Sequence, residues 1–406
     1  MPGEKEPSQA LANFLFPKIF QTFRIAIYRN NLIIAFLAVA IICSAGLIMD
    51  LIVVATSGSE SEVGVFSRLW YTAATGFHGT IHSLLLFEPT CVKTNIVECL
   101  KAIGGTLGDH YLYCTIFFAI TLVVISVAGG AICRIAALQF ARGEKPGLTE
   151  ALGFSTKRFK SFFTAPLAPV GIIIFIGLFI FLLGLIGNIP RVGELIMAIF
   201  MLLALIAGAL IAVVLIGAVA GFNLMFPAVA YDDSDCFDAI SRSFSYVYAK
   251  PWRMGFYTAI AVVHGAICYM FVRFFAFLLL WATYWFLQVG ALGDNSKLTA
   301  IWQKPSFGSL RGSLVLPGGI ESVAAFLVYL CLLVVVGLVV SFIISFYFSA
   351  NTIIYSLMRN RVDNTALEDI YTHFDDVETE PATTKSRSEE VQPEPETQQD
   401  SSSSAE

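Results

Sequence analysis

Residues 235–265 read DCFDAISRSFSYVYAKPWRMGFYTAIAVVHG. As a helix, the first half puts Phe237, Ile240, Phe244, Val247 and Tyr248 on one face, and Asp238, Arg242, Ser245 and Tyr246 on the other. Lys250-Pro251-Trp252-Arg253 interrupts that helix, because proline has no N–H to donate and disfavours the helical region for its predecessor. A long apolar run follows. Trp and Arg settle at a membrane–water boundary, so Trp252 and Arg253 read as interfacial anchors. The whole stretch predicts an amphipathic helix on the membrane surface, a bend, and a descent into the bilayer. The same order recurs at 17–41 and at 148–174, where Lys157 and Lys160 point away from the apolar face as further anchors.

Composition agrees. Of 406 residues, 57% are hydrophobic and only 14% charged, and the mean hydropathy is +0.75, which excludes an ordinary soluble enzyme chain. Six apolar runs are long enough to cross a bilayer, which takes roughly 20 residues each. They centre on 32–54, 111–135, 167–187, 194–222, 254–289 and 322–350. The fifth, at roughly 54 Å as a helix, is too long for one straight crossing and too short for two, so it is expected as one tilted or kinked helix. Residues 1–17 lack the short apolar core and small-residue cleavage site of a secretory signal, so the first span is expected to serve as its own uncleaved signal.

The fold expected is an all-α polytopic membrane protein of about six transmembrane helices in three hairpins, each preceded by a cytoplasmic-side amphipathic helix. Residues 1–31 form the N-terminal segment and first surface helix. Residues 32–358 form the membrane domain, with 57–110 as an outer cap loop that carries its own helix near 66–87. Residues 359–406 form a cytoplasmic tail, disordered from residue 377, where Glu, Ser, Thr, Gln and Pro dominate without an aromatic. With the N-terminus inside, 17 Lys and Arg fall on the cytoplasmic side and 7 outside, which is the bias that sets orientation. No N-x-Ser/Thr acceptor occurs, which favours a bacterial cell (inner) membrane.

An internal repeat is suggested by Ala151-Leu152…Ser155 and Ala239-Ile240…Ser243, at one constant offset. Arg361-Val-Asp363 and Glu368-Asp-Ile370 resemble Tyr231-Asp-Asp233 and Asp238-Ala-Ile240. The order of surface helix, Asp238-Ala-Ile-x-x-Ser243-Phe244, aromatic-Pro-Trp-Arg and long span resembles the membrane domain of bacterial glycerophosphodiester phosphodiesterases and related polytopic membrane proteins. The resemblance covers about half the chain. It implies a membrane module and carries over no catalytic residue, since a phosphodiesterase barrel needs roughly 250 soluble residues that are absent here.

Asp50, His264 and Arg273 are ionisable groups at membrane depth and are candidates on that ground. Asp50 and Arg273 reach similar depth and either pair or snorkel separately. His78 and His82, four apart, offer two metal ligands with His110 as a third; the alternative is polar histidines on a surface-lying helix. Cys91 and Cys99 fall in the outer loop and are candidates for a disulfide in an oxidising compartment. No phosphate loop, GxSxG or HExxH motif is present, and no cofactor is implied. The reading favoured is a non-enzymatic integral membrane protein, a scaffold or regulator organising lipid or partner proteins, with membrane lipid as one partner and a protein met through the tail as another. Nothing suggests nucleic acid. The alternatives are a transporter for a small or lipid-like solute, supported by the intramembrane ionisable groups and span glycines, and a metal-dependent membrane enzyme.

Overall fold

The computed structural model describes residues 15–57, 64–291, 296–308, 310 and 320–371. The chain divides into two units, Met1–Ile370 and Tyr371–Glu406, and of the second only Tyr371 is described. The tail expected to be disordered, and the partner role assigned to it, therefore lie outside the described residues.

Among the described residues the first unit is helical, without strands. A 3-10 turn, Phe16–Gln21, leads into α1 (Thr22–Ala26) and the first long helix, α2 (Arg29–Ser57). Helices α3 (Val65–Leu85) and α4 (Pro89–Asp109) form the cap hairpin. Helix α5 (Tyr111–Ala141) returns to short α6 (Leu148–Lys157) and α7 (Phe159–Thr164). Helices α8 (Ala168–Gly187) and α9 (Val192–Asp232) form a hairpin; α10 (Cys236–Ala249) then feeds α11 (Pro251–Gly290). Helix α12 (Ser296–Ile301) precedes the last long helix, α13 (Ile320–Val362). Six of these, α2, α5, α8, α9, α11 and α13, are long and apolar enough to cross a membrane. This is a multi-pass integral membrane protein. The starts of α2, α8 and α11 and the ends of α5, α9 and α13 gather on one side, called here the near side; α3 and α4 cap the far side.

Most long helices exceed the apolar runs expected of them. Helix α11 is one continuous 40-residue element, as its length required, and α9 and α13 reach 41 and 43 residues. Pro251 starts α11 at a first-turn position, where its missing N–H costs nothing. On the near side, α10 is capped by the Asp235 side chain, which accepts the N–H of Asp238 at 2.8 Å.

The near-side helices do not simply lie on lipid; they pack into the bundle. The face expected for α10 is rotated. Ala239, Ile240, Ser243, Tyr246 and Val247 are buried, whereas Phe237 is 68% exposed. The physical reason is close packing: a Cβ added at Gly221 would lie 3.4 Å from the Ser243 Cβ, so only small residues let α10 approach α9. Tyr246 enters because its hydroxyl finds Asp363 at 2.5 Å. The equivalent contact one unit earlier is Ser155 on Gly130, where an added Cβ would lie 2.5 Å from Ser155 Oγ. The Ser155 hydroxyl donates to Val127 O at 2.7 Å.

A left-handed residue follows the near end of each of α5, α9 and α13: Gly143 (φ 73°), Asp233 (φ 52°) and Asn364 (φ 56°). All three are residue types that tolerate this region.

Candidate functional site

The far-side polar residues fall into two separate clusters. Asp50, near the far end of α2, is 8% exposed and lies under the start of α3. Its Oδ1 accepts the Phe66 N–H at 2.9 Å and the Tyr113 hydroxyl at 2.8 Å; Oδ2 accepts Ser67 N–H and Oγ at 3.2 Å. Phe66 and Ser67 belong to the first turn of α3, whose free N–H groups attract an anion. Asp50 thus caps a helix from another element.

Arg273, on α11, is 7% exposed and engages different groups. It donates to Phe307 O at 2.7 Å, Gly308 O at 3.1 Å, the Tyr269 hydroxyl at 2.9 Å and the His78 ring at 2.6 Å, and lies 5.3 Å from the Phe307 ring centroid. The pairing of Asp50 with Arg273 offered by their common depth is not made. Each charge is satisfied by groups nearer to it in the fold, Asp50 by a helix terminus and Arg273 by loop carbonyls and aromatics.

The metal set does not assemble. His78 faces Arg273 and Tyr269, His82 is exposed on α3, and His110 sits at the α4–α5 junction. No group of three His, Cys, Asp or Glu suited to a metal occurs among the described residues. A guanidinium at hydrogen-bond distance also repels a cation. Burial and then Arg273 lower the His78 pKa to about 4, which leaves the ring neutral at pH 7. The proposed disulfide is also absent: Cys91 and Cys99 are free, on the single helix α4. Eight residues along a helix span about 12 Å, well beyond disulfide reach. His264 packs edge-on against Phe20 at 5.0 Å and lies 3.6 Å from Cys268 Sγ, a packed histidine. Trp252, Arg253, Lys157 and Lys160 are all exposed on the near side.

The near side holds a polar network that the sequence reading missed. Asp232 accepts from Tyr355 and from Arg242 at 3.1 Å and lies 3.2 Å from Arg359 Nε. Arg158 grips Asp233 through two nitrogens, one at 2.6 Å. Lys250 donates to Arg361 O, and Tyr231 to Leu367 O at 2.7 Å. Burial, then the Asp363 carboxylate, raise the Tyr246 phenol above its usual range and keep it a donor. These contacts tie α10 and the starts of α7 and α11 to the ends of α9 and α13. Each charged side chain in the network has a protein partner, so it reads as a clamp rather than a reactive centre.

Between α11 and α13 lies a cavity of about 220 Å³, roofed by Phe77 and Ile81 of α3 and touched by Asn223 of α9. Gly265 makes the helix contact beside it possible, since a Cβ there would lie 2.7 Å from the Phe346 ring. Its walls are largely Ala, Val, Ile and Phe, with no Lys, Arg, His, Asp or Glu among the lining residues. Val262 and Tyr347, at its rim, are 50% and 40% exposed, so the cavity opens towards the lipid-facing surface. The glycines of α5 and α9 do not line it; Gly129 meets Phe348 and Gly217 meets Phe244 in close packing.

No protein-family model matches this sequence, and no curated protein or solved structure matches it.

Proposed function

We propose that this is a non-enzymatic membrane protein that binds lipid in the α11–α13 cavity and thereby organises lipid in a bacterial cell membrane, with both termini cytoplasmic. One observation carries the reading: an intramembrane cavity open to the bilayer through Val262 and Tyr347 and lined by uncharged, mostly apolar side chains. Its volume exceeds the roughly 150 Å³ of an apolar cavity that accepts benzene, so part of an acyl chain fits. Uncharged walls suit a lipid-like molecule better than an ion or a sugar, whose desolvation they leave uncompensated.

The test is native mass spectrometry of the full chain released from bilayers. Wild-type protein should retain lipid, and Val262→Trp, which plugs the rim at an exposed position, should retain less. Equal retention would remove the reading. Flux of a lipid-like solute in proteoliposomes, lost in Val262→Trp, would shift it from holding lipid to moving it.

A further inference from the structure

The cavity is uneven along its length. Its upper part is closed by Phe77, Ile81 and Tyr269. Its near-side part carries four polar residues, Asn223, Thr258, Tyr347 and Asn351. Thr258 lies seven residues into α11, about 10 Å from its near end, and Asn223 nine residues from the near end of α9, about 14 Å.

Asn351 is the deciding residue. It is 6% exposed, lines the cavity, and its side-chain amide has no hydrogen-bond partner among the described residues. Its amide atoms keep accessible surface on the cavity, so their hydrogen bonds are left for an occupant of the cavity to make. Its neighbours add to the imbalance. Tyr347 donates its proton to Asn223 Oδ1 at 2.5 Å, which leaves the Asn223 amide N–H groups and the Tyr347 lone pairs unused. Pro227, inside α9, has no N–H for the Asn223 carbonyl one turn earlier. The Thr258 hydroxyl, on the opposite wall, also has no partner among the described residues. Exchanging O and N in either Asn leaves the count of free donors and acceptors unchanged.

We infer that the cavity takes a neutral glycerolipid with a single acyl chain, its ester carbonyl and free hydroxyls on Asn351, Asn223 and Thr258, and its chain running up between α11 and α13 towards Tyr269. The inference rests on the lipid-binding reading and narrows it. The free N–H groups of Asn351 and Asn223 match an ester carbonyl. The Asn351 oxygen, the Asn223 carbonyl and Tyr347 match hydroxyl donors. A charged head group inside the cavity finds no counter-charge on its walls. The polar part faces the near side, where a lipid's own glycerol lies, and the apolar part reaches inward, so the ligand keeps the orientation it has in the near leaflet.

The experiment uses monoolein with a diazirine at the chain end and 1-octadecene carrying the same diazirine, each competed against its unlabelled form on the full-length protein. Wild type should favour monoolein by about tenfold, the weight of one or two net hydrogen bonds. Asn351→Leu should erase that preference and leave octadecene binding intact; Val262→Trp should weaken both. The chain-end label should fall on Phe77, Ile81 or Tyr269. A preference that survives Asn351→Leu, or a label at Thr258 and Asn223, overturns the inference while lipid binding stands. If Val262→Trp alters neither probe, the cavity reading itself fails. Thr258→Val makes the same comparison from the opposite wall, should Asn351→Leu not fold.

Discussion

The hydroxyl of Tyr113 and the carboxylate of Asp50 meet at 2.8 Å, which joins α5 to α2 beneath the first turn of α3. Three elements converge on one buried charge. Asp50→Asn keeps the shape but removes the charge that faces the helix terminus, and is expected to destabilise the fold by about 1–3 kcal/mol. Tyr113→Phe should cost about 1 kcal/mol. Because Arg273 binds elsewhere, Asp50→Asn and Arg273→Gln should add without coupling. Unfolding in mixed micelles measures the four variants against wild type, and a rescue in the double variant would show an interaction that the geometry lacks.

Acid should loosen the cap through His78. Its pKa is lowered from 6.5 to about 4 by burial and by Arg273, so the folded state favours the neutral ring. The stability this provides is complete above the unfolded value near 6.5 and is lost as pH falls through about 4. Protease nicking of the α3–α4 hairpin should therefore rise between those values, and His78→Gln should flatten the profile. A profile unchanged by His78→Gln would assign the acid response to another group.

The corner at Asp233 combines a left-handed backbone with an ion pair to Arg158. Two substitutions separate them. Asp233→Gly keeps the backbone and loses a two-nitrogen ion pair whose carboxylate is buried, worth about 1–3 kcal/mol. Asp233→Val loses both and forces a β-branched residue into positive φ, a further cost of about 1–3 kcal/mol. If the two variants melt together, the backbone at this corner is relaxed and the strain argument is wrong.

Thiol labelling separates Cys91 from Cys99 without any reductant. Cys91 is exposed and should label quickly; Cys99 packs beside Gly76 and should label slowly. Adding reductant should change neither rate. A reductant-dependent gain at both would restore the disulfide.

The six spans were legible because a membrane crossing needs a long apolar run, and α2, α5, α8, α9, α11 and α13 all carry one. Which face of each helix meets protein was not. In water the large apolar side chains go inside; in lipid they are equally content outside, and small residues mark the contacts. That rotated the buried face of α10, where Ile240 and Val247 stay inside, Phe237 faces out and Ala239 and Ser243 face in. The Ala…Ser repeat held the correct signal, as Ser155 on Gly130 and Ser243 on Gly221 show. Asp50 and Arg273 were visible as charges at depth, but their partners were not, since a helix terminus and a loop carbonyl have no side-chain signature. Asn351 stayed hidden because a lone amide within an apolar run has no pattern; only the cavity beside it gives it meaning.

Helix α8, at 20 residues, is about 30 Å long, the thickness of bilayer hydrocarbon. Its partner α9 has buried residues only at Gly193, Gly217, Gly221 and from Leu224 to Tyr231, so its stretch from 194 to 216 is also left to lipid. Every other crossing helix is longer than the hydrocarbon and carries buried residues within its span. Bilayer thickness therefore acts on this protein chiefly through one hairpin. In thinner lipid the 168–216 stretch of that hairpin must tilt while the α2–α5–α13 core and the near end of α9, which holds Asn223, stay still, so the cavity is shielded from membrane thickness. Spin-label distances from Leu203 to Val339, compared in short-chain and long-chain lipid, should change; a constant distance would show the hairpin to be rigidly held.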